Sequence, residues 1–599
     1  MADEHDACAL VAIVRKDARP ARRVLADAVA GLECLAHRSG QIDGEADGAG
    51  ILTDLPRELW AALLADAGLP SQLADHPRFA VAHILMPRDA DDDLTRGLIR
   101  AILARHRVRV VTERHGVTRV DALGPRGRAE APAFWQLAML AHRSGPAGDR
   151  ALRAAASDIE WETGATVASL SRSSVVYKVR GSPSALRAYY PDLSDPRFRT
   201  SVAFGHNRFS TNTATTFARV QPFGAFAHNG EINTIGRLRD EAGSLALKLT
   251  PAGSDSQDVD ATLRGMVDLL GLDPIEAIEL LFPPILNEIR RMPEALQDAY
   301  VQGRAALGPL AQGPAAFLAR LRDVCVFGVD AMGLRPLWHV DTDDEHIFAS
   351  ERGFVPLARY AADPRPLGPG EHIALERGAS GWRFLDETAV RTRFLDARTS
   401  RGAVEPGLRR HLECGGPADA PAPVRGGPER VRWEVGFPPD EVDELTVRRE
   451  QQLAALGFEP DDLKAASFME EQGAEPIGSL GYDGPLAALA ARRPNLADFL
   501  HETVAVVTNP AIDREREIEH FSTRVLVGPR PLPQRGGPHR AWIELKHPVL
   551  LGGHAPEAGL APDESRRVAR RLGTWRVEDV LDELRADARG CGAAVLDAD

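Results

Sequence analysis

Residues 1–16 read MADEHDACALVAIVRK. Cys8 stands where a short polar leader meets the apolar-rich run Ala9–Val14, which is strand-like. Two readings of the thiol are open. A cysteine packs as a small hydrophobe and can open a buried strand. Alternatively, Cys8 becomes the N-terminus once residues 1–7 are removed, and its sulfur is a nucleophile. The thiolate is the reactive form, and a thiol of pKa about 8.5 is only a few per cent ionised at neutral pH. A neutral α-amine on the same residue, pKa about 8, can act as its base. Tethering supplies the geometry, since oriented intramolecular reactions reach effective molarities of roughly 10⁵–10⁸ M.

The rest of the chain bears on that choice. Its 599 residues suffice for several domains, and 44% hydrophobic and 26% charged residues are ordinary globular values. A net charge of −14 argues against nucleic acid or an acidic membrane surface as the main partner. The five cysteines are Cys8, Cys34, Cys325, Cys414 and Cys591. They form no CxxC pair, so neither a disulfide framework nor a cysteine-rich metal or iron–sulfur cluster is read, and no metal-ligand set is assigned. No apolar stretch approaches a membrane span. The acidic leader lacks the basic start and apolar middle of a secretory signal, so a cytoplasmic protein is expected.

Residues 21–40, ARRVLADAVAGLECLAHRSG, place Val24, Leu25, Ala28, Val29, Leu32 and Leu35 on one helical face. The helix is expected to stop at Ser39-Gly40. A Gly- and Asp-rich loop follows. ATVASLSRSSVVYKV (165–179), SVAFGHNRFS (201–210) and GAFAHNGEI (224–232) read as strands. LRDVCVFGVDAMGLRPLWHV (321–340) reads as strand, Gly turn, strand. A Pro-, Gly- and Arg-rich linker is expected over 401–433. Beyond it the chain is largely helical, and residues 577–599 read as helix, Gly turn, strand.

Three further islands could carry chemistry. In HNRFSTNT (206–213), Arg208 can grip a carboxylate with two parallel bonds, and Ser210 and Thr211 offer hydroxyls. A strand with an exposed arginine and a polar turn is the plainer reading. In FAHNGEIN (226–233), Asn229-Gly230 is a strong hairpin-turn signal. The same pair can form an oxyanion hole, with the Asn229 amide and the Gly230 N–H as donors. In GSDSQDVDATLRGMVDLL (253–270), Ser254 and Gln257 fit a capping box for a helix bearing Val259, Leu263 and Met266. Asp255 then either supports that first turn or faces a ligand's ammonium group. Taken together, Arg208 suits an α-carboxylate, Asp255 an α-ammonium, Asn229 and Gly230 an oxyanion, and Cys8 attack on a side-chain carbonyl. Such a ligand resembles glutamine.

These motifs resemble the glutamate synthase large subunit, whose N-terminal part is a class II (N-terminal-nucleophile) glutamine amidotransferase. ECLAHRSGQIDGEADGAGIL, ATVASLSRSSVVYK, YYPDLSDPRF, HNRFSTNT, HNGEINT, SDS and GLRPLWHV…IFASERG follow that family's order. FMEEQGAEPIGSLGYDGPLAAL and VTNPAIDRERE resemble the start of its central domain. The resemblance implies that Cys8 is the nucleophile and its own amine the base. Arg208 and Asp255 would bind glutamine, Asn229 and Gly230 would form the oxyanion hole, and Ser210 and Thr211 would lie in the substrate loop. It further implies a four-layer αββα sandwich over residues 8–400, a 401–433 linker, and a partial α/β central domain over 434–599. The sequence departs from the family at Ala9, where the family has Gly, at Ser39-Gly40 of its HRGA motif, and at Ala46 of its Gly-Asp-Gly-Ala-Gly loop.

In the family the central domain leads into a flavin-binding (β/α)₈ barrel with an iron–sulfur site. No such segment is read here. The chain itself is expected to hold no cofactor, with FMN and the iron–sulfur cluster on a partner chain. The expected function is a glutaminase that passes ammonia to that partner for glutamate formation from 2-oxoglutarate, and an oligomer is allowed. An amidotransferase for another acceptor, or a non-catalytic glutamine-binding or scaffold subunit, are the alternatives.

Overall fold

The structure, a computed structural model, describes residues 8–42, 44–88, 92–208, 215–232, 235–307, 311, 313–404, 460–472, 525–527, 543–545, 566–569 and 594–597. The leader, residues 405–433 of the expected linker, and most of 434–599 lie outside these.

Strand β1 (Ala9–Arg15) runs antiparallel to β10 (Val202–Asn207) on one side and β15 (Glu345–Ala349) on the other. Successive side chains of a strand point to opposite faces. Both faces of β1 are apolar because both are covered. Ala9, Val11 and Ile13 pack with Val24, Leu25, Ala28, Val29 and Leu32 of the helix Arg22–Cys34. Leu10, Ala12 and Val14 pack with Leu318, Phe327 and Leu375 of a second sheet. Full burial of each Val, Leu or Ile contributes roughly 1.5–3 kcal/mol.

The first sheet runs β16 (Arg365–Pro366), β14 (Trp338–Asp341), β15, β1, β10, β4 (Ala49–Asp54), β9 (Ser174–Val179). The second runs β11 (Phe226–Gly230), β12 (Ala315–Leu321), β13 (Val324–Val329), β17 (His372–Gly378), β18 (Gly381–Leu385). Its outer face packs against Val259, Leu263, Ile275, Ile278, Tyr300 and Phe394, from helices Asp255–Arg264, Pro274–Leu281, Glu294–Leu307 and Glu387–Ser400. The order is helix, sheet, sheet, helix, the four-layer sandwich anticipated from the sequence.

Residues 79–171 supply a third sheet, in the order β6 (Val108–His115), β7 (Phe134–Ala141), β5 (Phe79–Leu85), β8 (Thr166–Ser171). It packs on helices Asp92–Arg105 and Gly145–Thr163 through Ile99, Leu103, Leu152 and Ile159. The sequence reading saw only β8 of this sheet. A two-stranded ribbon, β2 (Gln41–Ile42) with β3 (Glu45–Ala46), lies in the Gly- and Asp-rich loop.

Local expectations fare unevenly. The first helix buries the anticipated face but ends at Cys34, and Ala36–Arg38 form a tighter 3₁₀ turn. That turn keeps Leu35 in the core and sends His37 and Arg38 out to Glu351. Residues 321–340 hold two strands as read, β13 and β14, and these belong to different sheets. Asn229-Gly230 is not a hairpin turn. Both residues are paired in β11, opposite Ala316 and Ala315 of β12. The capping box forms as expected.

Beyond residue 404, Pro460–Gln472 is a helix, Val525–Val527 pairs with Ile543–Leu545, and Arg566–Ala569 pairs in parallel with Ala594–Asp597. No helix among the described residues is long and apolar enough to cross a membrane.

A buried ion pair joins the two central sheets. Asp54 of β4 meets the guanidinium of Arg320 of β12. The carboxylate also accepts from Ser201 N at 2.5 Å, Ser201 Oγ at 2.8 Å and Val202 N at 3.1 Å. Burial pushes the Asp54 carboxyl up, but Arg320 and the Ser201 donors outweigh it and hold it below its ordinary value. The pair's contribution is therefore complete above about pH 4 and is lost as pH falls through the folded-state value. Arg320→Ala leaves a buried carboxylate without its cation and should cost about 3–5 kcal/mol. Denaturant unfolding followed by tryptophan fluorescence checks this, and the gap between variant and parent should shrink on acidification.

Candidate active site

The register of β1 and β10 pairs Ala9 with Asn207. One further step sets Cys8 across from Arg208. By strand alternation Cys8 shares the face of Leu10 and Ala12, so it opens onto the seam between the two sheets. Both residues are buried. The Cys8 carbonyl accepts from Arg38 Nε at 3.1 Å, which fixes the start of the strand. The Arg208 backbone is clamped twice, donating to Gly48 O at 2.8 Å and accepting from Gly40 N at 3.0 Å. Its guanidinium donates to Arg219 O. Burial pushes the Arg208 pKa down, while negative charge at Cys8 and Asp47 would pull it back up.

Asn229, next to last in β11, stands on the opposite wall. Its Nδ2 reaches Ser350 Oγ at 3.4 Å, and the same hydroxyl accepts Leu10 N at 3.0 Å. One serine thus ties Asn229 to β1, two residues from Cys8. His206, paired with Leu10, donates from Nε2 to His228 O at 3.1 Å and closes the seam one step deeper. Burial holds His206 well below its ordinary pKa, so that ring is neutral. Gly230 has φ +112°, and a Cβ there would lie 1.9 Å from Pro314 O. Only glycine fits.

Asp255 begins its helix behind the Ser254 cap. The next residue, Ser256, bonds His228 Nε2 at 2.6 Å, which anchors that first turn beside β11. The Asp255 carboxylate is half-exposed and takes Arg239 at 2.9 Å. A ligand ammonium would share it with that guanidinium. The structure therefore gathers Cys8, Arg208, Asn229 and Gly230 at the mouth of the seam, with Asp255 tied to the same strand through Ser256. Ser210 and Thr211 lie outside the described residues.

Sequence reasoning gave no role to Ser350, His206 or His228. All three lie within motifs already singled out, but their contacts cross between strands far apart in sequence. Of the departures, the Ala9 methyl packs on the helix side, away from the seam, whereas Gly40 touches Arg208 directly.

A family model described as glutamine amidotransferases class-II matches residues 8–396. The chain belongs to the class II glutamine amidotransferases. A second model, the glutamate synthase central domain, matches residues 451–591. The glutamate synthase [NADPH] large chain of Azospirillum brasilense is 28% identical over 559 residues, covering 87% of this chain and 35% of that one. Ferredoxin-dependent glutamate synthase 2 of Synechocystis sp. is 27% identical over 585 residues, covering 92% and 36%. This amidotransferase is thus glutamate synthase large-subunit-like, and spans about a third of the length of the curated relatives it matches. A glutamine phosphoribosylpyrophosphate amidotransferase from B. subtilis, at 14% identity, TM-score 0.31 and coverage of 63% of this chain and 49% of that one, adds nothing to the fold argument.

Within this amidotransferase, Gly230→Ala should cost at least about 1–3 kcal/mol through backbone strain alone, with the contact to Pro314 added. The check is an earlier denaturant midpoint than the parent's. A midpoint equal to the parent's would mean that β11 does not hold this backbone conformation.

Proposed function

We propose that this amidotransferase is the glutaminase component of a glutamate synthase. The observation that carries the reading is the opposition of Cys8 and Arg208 across β1 and β10, with Asn229 one hydroxyl away.

On this reading, residues 1–7 are removed and Cys8 carries a free α-amine. The amine takes the thiol proton, and the thiolate attacks the glutamine side-chain carbonyl. Asn229 Nδ2 and the Gly230 N–H hold the developing oxyanion. The C–N bond breaks as the protonated amine returns its proton to the leaving nitrogen, releasing ammonia and leaving a Cys8 thioester. Water, deprotonated by the same amine, attacks the thioester. Glutamate leaves and the thiol is restored. Arg208 grips the substrate α-carboxylate and Asp255 its α-ammonium, with Ser210 and Thr211 in the substrate loop.

The ammonia goes to a synthase partner polypeptide. There FMN and an iron–sulfur cluster serve reduction, and 2-oxoglutarate becomes glutamate. The setting is cytoplasmic. The domain boundaries proposed are residues 8–400 for the glutaminase, 401–433 for the linker and 434–599 for central-type chain.

A glutamine-mimicking diazoketone tests the chemistry. Its adduct should map to Cys8, and Cys8→Ala should abolish glutamine hydrolysis. An adduct elsewhere, or none on chains whose mass begins at Cys8, overturns the reading. Asn229→Ala should lower kcat about 10²–10³-fold with little change in KM, since an oxyanion donor acts mainly in the transition state. Arg208→Lys should chiefly raise KM, because an ammonium cannot make the two-pronged carboxylate contact. The rate should rise with pH through the α-amine range near about 8, and chains retaining Met1 should be inactive.

A further inference from the structure

The β14–β15 hairpin carries three metal-ligand side chains that the glutaminase reaction does not use. Asp341 and His346 are direct partners in its register, and His339 lies two residues before Asp341 on the same face. Their donor atoms converge. His339 Nε2 is 3.3 Å from His346 Nδ1, and His346 Nδ1 is 3.1 Å from Asp341 Oδ1. We infer that His339, Asp341 and His346 form a binding site for a divalent transition metal of the zinc class.

The geometry favours that class. A tetrahedral ion with bonds of about 2.0–2.1 Å to nitrogen and oxygen sets its ligand atoms about 3.3–3.4 Å apart. These two separations lie at or just below that length, and all three donor atoms lie within 4.8 Å of one another, so side-chain adjustment brings them onto one ion. Two imidazoles and one carboxylate suit zinc, copper or nickel, whereas magnesium and calcium prefer all-oxygen shells. His346 is buried, while His339 and Asp341 are half-buried. That leaves a solvent side for water as fourth ligand.

Aromatic walls fix both rings. His339 stacks on Phe348 of β15 at 4.6 Å between centroids and on Phe384 of β18 at 5.3 Å. His346 lies 5.3 Å from Phe384.

Two cations face the cluster. Lys16 Nζ pairs with Asp341 Oδ1 at 2.9 Å and with Thr342 O at 2.5 Å. Its side chain is about a third exposed, so a metal ion can drive the ammonium into water. Arg365 stands nearby and is neutralised by Glu371 at 2.9 Å. Lys16 is therefore the group a metal must displace, and it makes the site weaker than its donor set alone would.

A bound ion would clamp β14 to β15 four residues before Ser350, the hydroxyl that serves both β1 and Asn229. The site is a brace for the seam's supporting strand and stands apart from the thiol chemistry.

Cobalt(II) added to the chelator-treated full chain tests the inference. The expected result is one equivalent bound, with the intense visible absorption of tetrahedral cobalt, displaced by zinc. His339→Asn and His346→Asn should each abolish that absorption, and Lys16→Gln should tighten binding several-fold. Binding that survives both histidine variants, or cobalt that stays octahedral in the parent, overturns the site. Copper–ascorbate oxidation of the parent chain gives a readout independent of variant folding. Peptide mapping should find oxidation concentrated at His339 and His346, and concentration on other histidines would refute the assignment.

Discussion

The structure depends on a strand buried on both faces. β1 sits in the middle of its sheet, with a helix layer on one side and a second sheet on the other. Its six residues Ala9–Val14 are fully buried. The constraint is steric as much as hydrophobic. A polar residue within that run would lose water on either face and find its neighbours' backbone groups already paired. The strand can carry chemistry only at its ends. Cys8 is at one of them, where the seam between the sheets opens, so the position of the thiol follows from the same packing that makes the core.

The seam is held by polar ties as well as apolar contact. At one end Asp54 and Arg320 join the sheets through a buried ion pair. At the other, Ser350 and His206 join them through hydrogen bonds. These ties do different work. The ion pair has several donors converging on one carboxylate, and it fixes how the sheets stack. The serine tie is two bonds and the histidine tie one, all close to Cys8, and they set where β11 ends relative to β1. A shift of β11 by one residue would turn Asn229 from the seam to the helix side, because strand faces alternate. The hydroxyl of Ser350, accepting from Leu10 and facing the Asn229 amide, works against that shift.

Much of this was legible in the sequence, and the unread parts share a cause. The face of the first helix followed from the spacing of Val24, Leu25, Ala28, Val29 and Leu32. The Ser254–Gln257 cap followed from local side-chain chemistry. Both are properties of neighbours along the chain. Asn229-Gly230 carries a strong hairpin-turn signal, and only its pairing with Ala316 and Ala315 shows a strand there instead. Of the third sheet, β5 and β7 are largely apolar runs, broken only by the buried His83 and Gln136, and such runs without alternation do not announce a strand. Ser350, His206 and His228 carry no signal until their partner strands are known. The same holds for His339, Asp341 and His346, whose convergence depends on hairpin register and on Phe384 from the opposite sheet.

The electrostatics of the seam mouth bear on what it can hold. On the wall that carries Cys8 stand the buried guanidinium of Arg208 and the guanidinium of Arg38, the latter bound to Glu351 and to the Cys8 carbonyl. His206 and His228 are kept neutral by burial, His228 at about 4, so neither competes as a cation. Carboxylates gather instead on the first turn of the Asp255–Arg264 helix, where Asp255 and Asp258 share Arg239. The mouth thus carries cations near the thiol and carboxylates on the turn beside β11, with opposite charge from the chain close to each: Asp47 near Arg208, Glu351 on Arg38 and Arg239 on Asp255. A ligand carrying one sign only would engage one set of charges and leave the other with its partners in the chain. A zwitterion with a short side chain reaching toward the sulfur meets both. This separation of charge supports an amino-acid amide over a simple acid or amine as the proposed substrate, and it does so from the placement of fixed groups that do not take part in bond making.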